Sequence, residues 1–545
     1  MSTIKGQRAR SIRVLEDFAE SIRMAERRLE DDLREARDVS AARNYSEKAW
    51  IVMLARQGIV SRGDAAAILK AILDYEKEGA EPAYPAYLPS DSFSVWSLEK
   101  ILTGRLGADL AGNLNIGKTL PEPMARLKIR DACLPLFDEL LGFLATLQEL
   151  GLRYRTTVMP GYTHLAQAQV TSFGHYLMSV HDPILRALRE LEAAYATTNR
   201  STLGCGALAG SSWPLDRKLT AELLGFDGIV ENTNDCVSSA DYGVSLMAAL
   251  VNVMVVVSRV TLDLQLWGME EIGMIGVPGS YSDTSSMMPQ KKNFGGQLER
   301  TRFESASIIS RFQEVAVLTR SEPFSDLLAV IRTRFPVMES LCIVRKNLCV
   351  LRGFLSTMAP DEERMLQLCR AGFSCASELA NVIVRRTRLS YRQAHHVTGT
   401  VVRLCAERKI PADRADAALL DEAARAVVGE PLGFTDAEVQ EALDPRHFIR
   451  PWLLSPDLDF ATELSTSPDP GSASAIGHLS CALVPSSDPG MASSAWIFYL
   501  LPGSFAPPRH GYQSSGVNQS SRKRFLCLPA CAAYQPPSQV KDLPS

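Results

Sequence analysis

A chain of 545 residues exceeds one ordinary domain, and with 46% hydrophobic residues it can bury a large core, so two to four domains are expected. Its 58 Lys and Arg stand against 62 Asp and Glu, a formal charge of -4, which argues against a nucleic-acid or anionic-membrane partner. The first twenty residues lack the continuous apolar block of a signal peptide, and the 11 cysteines show neither CxxC nor Cys/His metal spacing. Reduced thiols, a cytoplasmic setting and no bound metal follow as expectations.

Helix signals dominate along the chain. Ser61-Arg62-Gly63-Asp64 opens a capping-box-like start, and Ile68, Leu69, Ile72 and Tyr75 recur at helical spacing before Gly79. Long helices are predicted over Pro121 to Leu150, Ala166 to Thr197, Ser238 to Met269, Gln297 to Leu318 and Asp326 to Thr357. The most apolar stretch, Val244 to Trp267, is interrupted by Asn252, Ser258, Arg259 and Asp263, so a buried bundle helix fits better than a membrane span. Ser390 with Gln393 opens a helix toward Lys409 that stops before Pro411.

Period-2 strand runs are nearly absent, so the expected fold is all-α: three helical domains around a long central helix bundle. The expected boundaries are an N-terminal domain over 1–115, the bundle over 116–358 and a small helical domain over 359–460. Residues 461–545 are different in kind. From 466 onward they hold 11 Pro and 15 Ser with no helical period, which predicts a disordered tail; a translated extension and a functional tail are both open.

Two segments carry chemistry. Thr284-Ser285-Ser286-Met287-Met288-Pro289-Gln290-Lys291-Lys292-Asn293 follows the glycine- and serine-rich run Gly276 to Asp283. It concentrates hydroxyls, ammonium groups and a carboxamide, and a turn leading into a helix near Asn293 would aim Ser285 and Lys291 at a small anion. The competing reading is a surface connection rich in turn formers. In Met159-Pro160-Gly161-Tyr162-Thr163-His164-Leu165-Ala166-Gln167-Ala168-Gln169, Pro160-Gly161 marks a turn. Thr163 and His164 are then expected at a helix start, where an imidazole can trade a proton; a capping Thr beside a hydrogen-bonded His is the bland alternative. Gly204-Cys205-Gly206-Ala207-Leu208-Ala209-Gly210 has the wrong spacing for a dinucleotide loop and follows helix, so close backbone packing or a ligand-facing turn is expected. His395 and His396 fall on different helical faces, which suits packing and solvent better than metal.

These residues resemble the fumarase/aspartase superfamily. The loop is similar to its pattern Gly-Ser-Ser-x-Met-Pro-x-Lys-x-Asn, and the Met159–Gln169 run is similar to a segment of argininosuccinate lyases. Gly206 to Gly210 with Pro214, Asp216 and Arg217, then Glu231-Asn232 and Phe373-Ser374 through Leu379-Ala380, add to the resemblance, which spans roughly 10 to 450. It implies a homotetramer with shared active sites, no cofactor, and a small dicarboxylate or N-succinyl substrate that releases fumarate. By motif position it implies Ser285 as the base, His164 as the group that protonates the departing amine, and Thr163, Ser286, Lys291 and Asn293 as substrate binders. Asn115, Thr119 and Glu299 are further candidates.

The departures concern the other half of the substrate. Thr284 stands where the family has glycine, and Leu298 where it has the glutamate that orients the histidine, with Glu299 one residue late. Gly117-Lys118-Thr119-Leu120-Pro121-Glu122 replaces Gly-Arg-Ser-Arg-Asn-Asp. Ser321, Glu322, Phe324 and Leu328 stand near the expected Tyr, Gln and Lys, and Pro451-Trp452-Leu453-Leu454 replaces the family's glycine-rich close. The expectation is therefore a lyase acting on an N-succinyl amine other than argininosuccinate. Argininosuccinate lyase proper and a catalytically silent partner subunit are the alternatives.

Overall fold

The computed structural model describes residues 34, 37–78, 98–119, 123–290, 292–294, 296–320, 322–325 and 328–454. The expected tail, and the predicted helix ends at Gly79, Pro121 and Asp326, lie outside them. Helices run α1 (Ser40–Arg56), α2 (Arg62–Lys77), α3 (Leu98–Leu106) and α4 (Met124–Arg153). A hairpin β1 (Val158–Thr163) and β2 (Ala166–Ser172) precedes α5 (Phe173–Thr198), α6 (Arg217–Leu223), α7 (Thr233–Ser238) and α8 (Asp241–Trp267). Short strands β3 (Ile275–Gly276), β4 (Ser282–Thr284) and β5 (Lys292–Phe294) lead to α9 (Gly296–Arg320) and α10 (Leu328–Thr357). After β6 (Ala359–Pro360) come α11 (Glu362–Ala371), α12 (Ala376–Arg386), α13 (Tyr391–Arg408), α14 (Ala417–Val428), α15 (Asp436–Leu443) and α16 (Pro445–Leu454).

The fold is all-α, with five helices of 25 residues or more among the described residues: α4, α5, α8, α9 and α10. Capping chemistry sets several boundaries as the sequence predicts. Ser61 Oγ accepts from the Asp64 amide at 3.1 Å. At α13, Ser390 and Gln393 close a full capping box, and Lys409 terminates the helix in the left-handed region at φ 56. Among the described residues α8 is the one helix long and apolar enough to cross a membrane. Its polar residues have partners instead: Tyr176 Oη donates to Asp263 at 2.8 Å and Asn252 to Glu190 at 2.6 Å.

The described residues form two compact units, one drawn from within 1–137, 186–255 and 304–345, the other from within 138–185, 256–303 and 346–454. In the first, Trp50, Ile51, Met53 and Leu54 of α1 pack with Ile68 and Ile72 of α2, Leu98 and Leu102 of α3, and Leu127, Leu203 and Phe226. The glycine-rich 204–210 run is a tight loop there. Gly210 N donates to Cys205 O at 2.8 Å, and a side chain on Gly206, at φ +63, would overlap the Gly210 carbonyl, so close backbone packing is its role.

In the second unit, Val158 and Val170 of the hairpin pack on Leu366, Leu379, Ile383, Val397, Leu404, Leu420 and Val439 of α11 to α15. Polar contacts fix helix register: Arg352 donates to Glu139 through Nε at 2.7 Å and Nη2 at 3.1 Å, and Thr301 Oγ1 donates to Asn347 Oδ1 at 2.7 Å.

One element departs from the sequence expectation. Ala166 to Ser172 is a strand, so the helix predicted from Ala166 begins only at Phe173. Thr163 ends β1 opposite Ala166 and is not at a helix start. Pro160 and Gly161 mark a register shift in the ladder rather than the turn, and a Cβ on Gly161 would sit 2.8 Å from Gln169 O. The turn is His164-Leu165 itself, at φ 54 and φ 60. Both values are positive, as a two-residue type I′ turn requires, and neither residue is the Asn or Gly that normally announces one. The hairpin base is fastened by Phe173 N to Thr157 O at 2.9 Å and Gly174 N to Tyr154 O at 3.0 Å, an approach so close that a Gly174 side chain would overlap the Gly151 carbonyl.

Candidate active site

The Ser285 loop is built by a second hairpin. β4 pairs antiparallel with β5, matching Ser282 to Phe294, Asp283 to Asn293 and Thr284 to Lys292. The segment 285–291 is thus a hairpin loop, and the helix expected near Asn293 starts three residues later at Gly296. The pairing holds the loop ends together without a glycine at 284. Lys291 and the side chain of Asn293 lie outside the described residues.

Within the loop, Ser285 Oγ accepts from the amides of Met287 at 3.3 Å and Met288 at 3.0 Å. Two N–H donors on one hydroxyl oxygen favour its anionic form, and they leave the hydroxyl proton free to be directed elsewhere. Ser285 is half-buried, Ser286 is exposed and Met287 is 85% exposed. The preceding run is anchored in two places. Ile275 and Gly276 pair with Pro360 and Ala359, and Tyr281, at the end of a 3₁₀ turn over Gly279–Tyr281, meets Phe354 of α10 edge-on with centroids 5.4 Å apart.

Thr163 and His164 sit side by side at the exposed tip of the β1–β2 hairpin, in the same compact unit as Ser285. The helix-dipole setting expected for His164 is therefore replaced by a strained turn. Among the described residues no hydrogen bond joins this tip to Ser285 or Ser286. A left-handed backbone costs a residue with a Cβ about 1–2 kcal/mol, and Leu165, 83% exposed, gains little packing in return. Leu165→Gly is accordingly expected to stabilise the protein by about 1 kcal/mol in urea denaturation; a fall in stability would show that the turn is not strained.

At the start of α9 the one-residue difference is decisive: Leu298 is fully buried and Glu299 is exposed. Glu299 therefore faces outward from the first turn of α9, while the preceding position packs into the core. In the other compact unit, Asn115 Nδ2 donates to Glu99, and Thr119 is half-buried. Leu120, Pro121, Glu122 and Ser321 lie outside the described residues, while Phe324 is 84% exposed.

Sequence reasoning does not reach Glu47. Its carboxylate accepts from Lys118 Nζ at 2.9 Å with both side chains almost sealed, 3% and 4% exposed, and Trp50 Nε1 next along α1 donates to Ile116 O at 3.1 Å. Nothing in the spacing of 47 and 118 signals this pair. Thiol chemistry is disfavoured at Cys133, Cys369 and Cys375, since burial pushes each up to about 12.

Comparison with known proteins places this arrangement. Residues 114–308 match the Lyase family model and 373–450 match the argininosuccinate lyase C-terminal model. The argininosuccinate lyase of Methanococcoides burtonii is 32% identical over 403 residues, 73% of this chain and 80% of its own length. That of Methanoculleus marisnigri is 32% identical over 418 residues, 74% and 81% of the two chains. The chain belongs to the fumarase/aspartase superfamily. Within the superfamily it is an argininosuccinate lyase-like, fumarate-forming carbon–nitrogen lyase. A solved variant of EDDS lyase with bound fumarate is similar at a TM-score of 0.67 and 28% identity, covering 77% of this chain and 85% of that one. The class II fumarase of Schistosoma mansoni shares the fold, with a TM-score of 0.62 at 13% identity over 76% and 91% of the two chains.

Proposed function

We propose that this superfamily member eliminates an amine from an N-succinyl compound other than argininosuccinate, with Ser285 as the base. The observation that carries the reading is the pair of backbone amides on Ser285 Oγ, which favours a serine alkoxide at the start of the loop. Ser285 takes the proton from the carbon beside a carboxylate, and the electron pair is held as a dianionic aci-carboxylate. The C–N bond then breaks, the pair closes the C=C bond of fumarate, and the amine leaves as His164 supplies its proton.

The intermediate's added charge calls for preorganised donors, each worth roughly 3 kcal/mol in comparable sites. Lys291, Asn293, Ser286 and Thr163 are the groups assigned to that task. Leu120 and Pro121 offer no side-chain donor where the family pattern has Arg and Asn, which supports a different amine half. Asn115 and Thr119 are assigned to that half.

Self-association as a homotetramer with shared sites belongs to the same proposal. It is supported by apolar side chains left outward on the long helices, Leu262 on α8 and Phe303, Ile309 and Val317 on α9, with Phe303 76% exposed.

The test is to incubate purified protein with argininosuccinate and a panel of N-succinyl amines, in both directions, while following fumarate absorbance. Fumarate from a panel member and none from argininosuccinate is the expected result. None from any compound in either direction would overturn the proposal. A second reading, argininosuccinate lyase proper, is favoured by the naming of its 32% identical relatives; failure to rescue an arginine auxotroph would remove it.

A further inference from the structure

Gly353 lies four residues before the end of α10, where glycine still weakens a helix relative to alanine, so its presence there asks for a cause. The cause is Tyr281. A Cβ built on Gly353 would overlap the Tyr281 hydroxyl oxygen, while the ring carbon bearing that hydroxyl stays 3.6 Å away. The ring is held edge-on by Phe354 at 5.4 Å, and its backbone is fixed because Tyr281 N donates to Pro278 O at 2.9 Å. β4 begins at the next residue, and only three residues of strand separate Tyr281 from Ser285.

We propose that Tyr281 is a positioning residue for the reaction, seated in a socket that exists because residue 353 has no side chain. The seat fixes where β4 leaves α10 and hence where the Ser285 oxygen and its two amide donors are presented. This rests on the assignment of Ser285 as the base. A Tyr281 ring pushed from this seat gives up the Phe354 contact that ties the chain just before β4 to α10. Misplacement of a reacting group by about 1 Å costs on the order of 10²-fold in rate. The hydroxyl alone makes the overlap, so removing it relieves the effect of a methyl group at 353.

The experiment is a double-mutant cycle in the full-length protein: Gly353→Ala, Tyr281→Phe and both together, each read for kcat on the panel member that releases fumarate and for thermal midpoint. Gly353→Ala is expected to lower kcat on the order of 10²-fold, while its helix is no weaker and its midpoint does not fall. In the Tyr281→Phe background the same Gly353→Ala change is expected to cost no more than about three-fold, a non-additivity of the kind that touching residues show. A full rate in Gly353→Ala, or an equal loss in both backgrounds, overturns the socket. Loss of kcat that tracks a lowered midpoint in both backgrounds also overturns it, by assigning Gly353 to folding alone. Should the unmodified protein release no fumarate from any compound, the Ser285 assignment fails and this inference with it. A working enzyme indifferent to the cycle removes this inference only.

Discussion

Ser285→Ala is expected to lower kcat by about 10⁴-fold, the upper range for losing a positioned general base, with fumarate still bound. The loop should survive the change, because its two ends are held by the β4–β5 ladder rather than by the serine. The amides of Met287 and Met288 lose their acceptor, but both residues are exposed and water can replace it. Measuring turnover beside fumarate affinity separates the two effects. Turnover within about ten-fold of the unmodified enzyme, below the range for general-base loss, would remove Ser285 from the role of base. Loss of fumarate binding together with turnover would instead show that the hydroxyl shapes the site.

The second large effect is one of stability. Glu47→Leu leaves the Lys118 ammonium buried without its partner carboxylate, a defect that costs roughly 3–5 kcal/mol, read as a lowered urea midpoint at constant slope. Replacing both partners, Glu47→Leu with Lys118→Met, should recover most of that loss, because a buried pair exchanged for apolar residues of similar volume is often neutral or better. A single substitution costing under about 1 kcal/mol would place the pair with surface ion pairs and refute its burial.

How far the sequence could be read depended on whether neighbours along the chain decided the outcome. The cap at Ser61, the capping box at Ser390 and the long helices other than α5 are local, and they fall within a few residues of where periodicity and cap chemistry put them. The α1 helix is not announced, because Arg43, Asn44, Ser46 and Glu47 are buried beside Trp50 and Ile51 and blur the apolar stripe. The hairpin at 158–172 is masked by its turn, since His164 and Leu165 take positive φ without glycine or asparagine. For the site, the motif residues were legible from composition and order. Their setting was not: the two amides on Ser285, the outward Glu299 and the Tyr281 socket all depend on backbone conformation or distant packing.

The burial of Leu298 also bears on the path by which this chain could have come to differ from its relatives. Leu298→Glu, the change that would reinstate the residue of the resembled pattern, would put a carboxylate into a fully buried position. That costs several kcal/mol for an unpaired ion, a large part of a typical domain's stability. Reversal by that one substitution alone therefore carries a large stability cost. A return would need a partner charge beside position 298 or a re-registered start of α9.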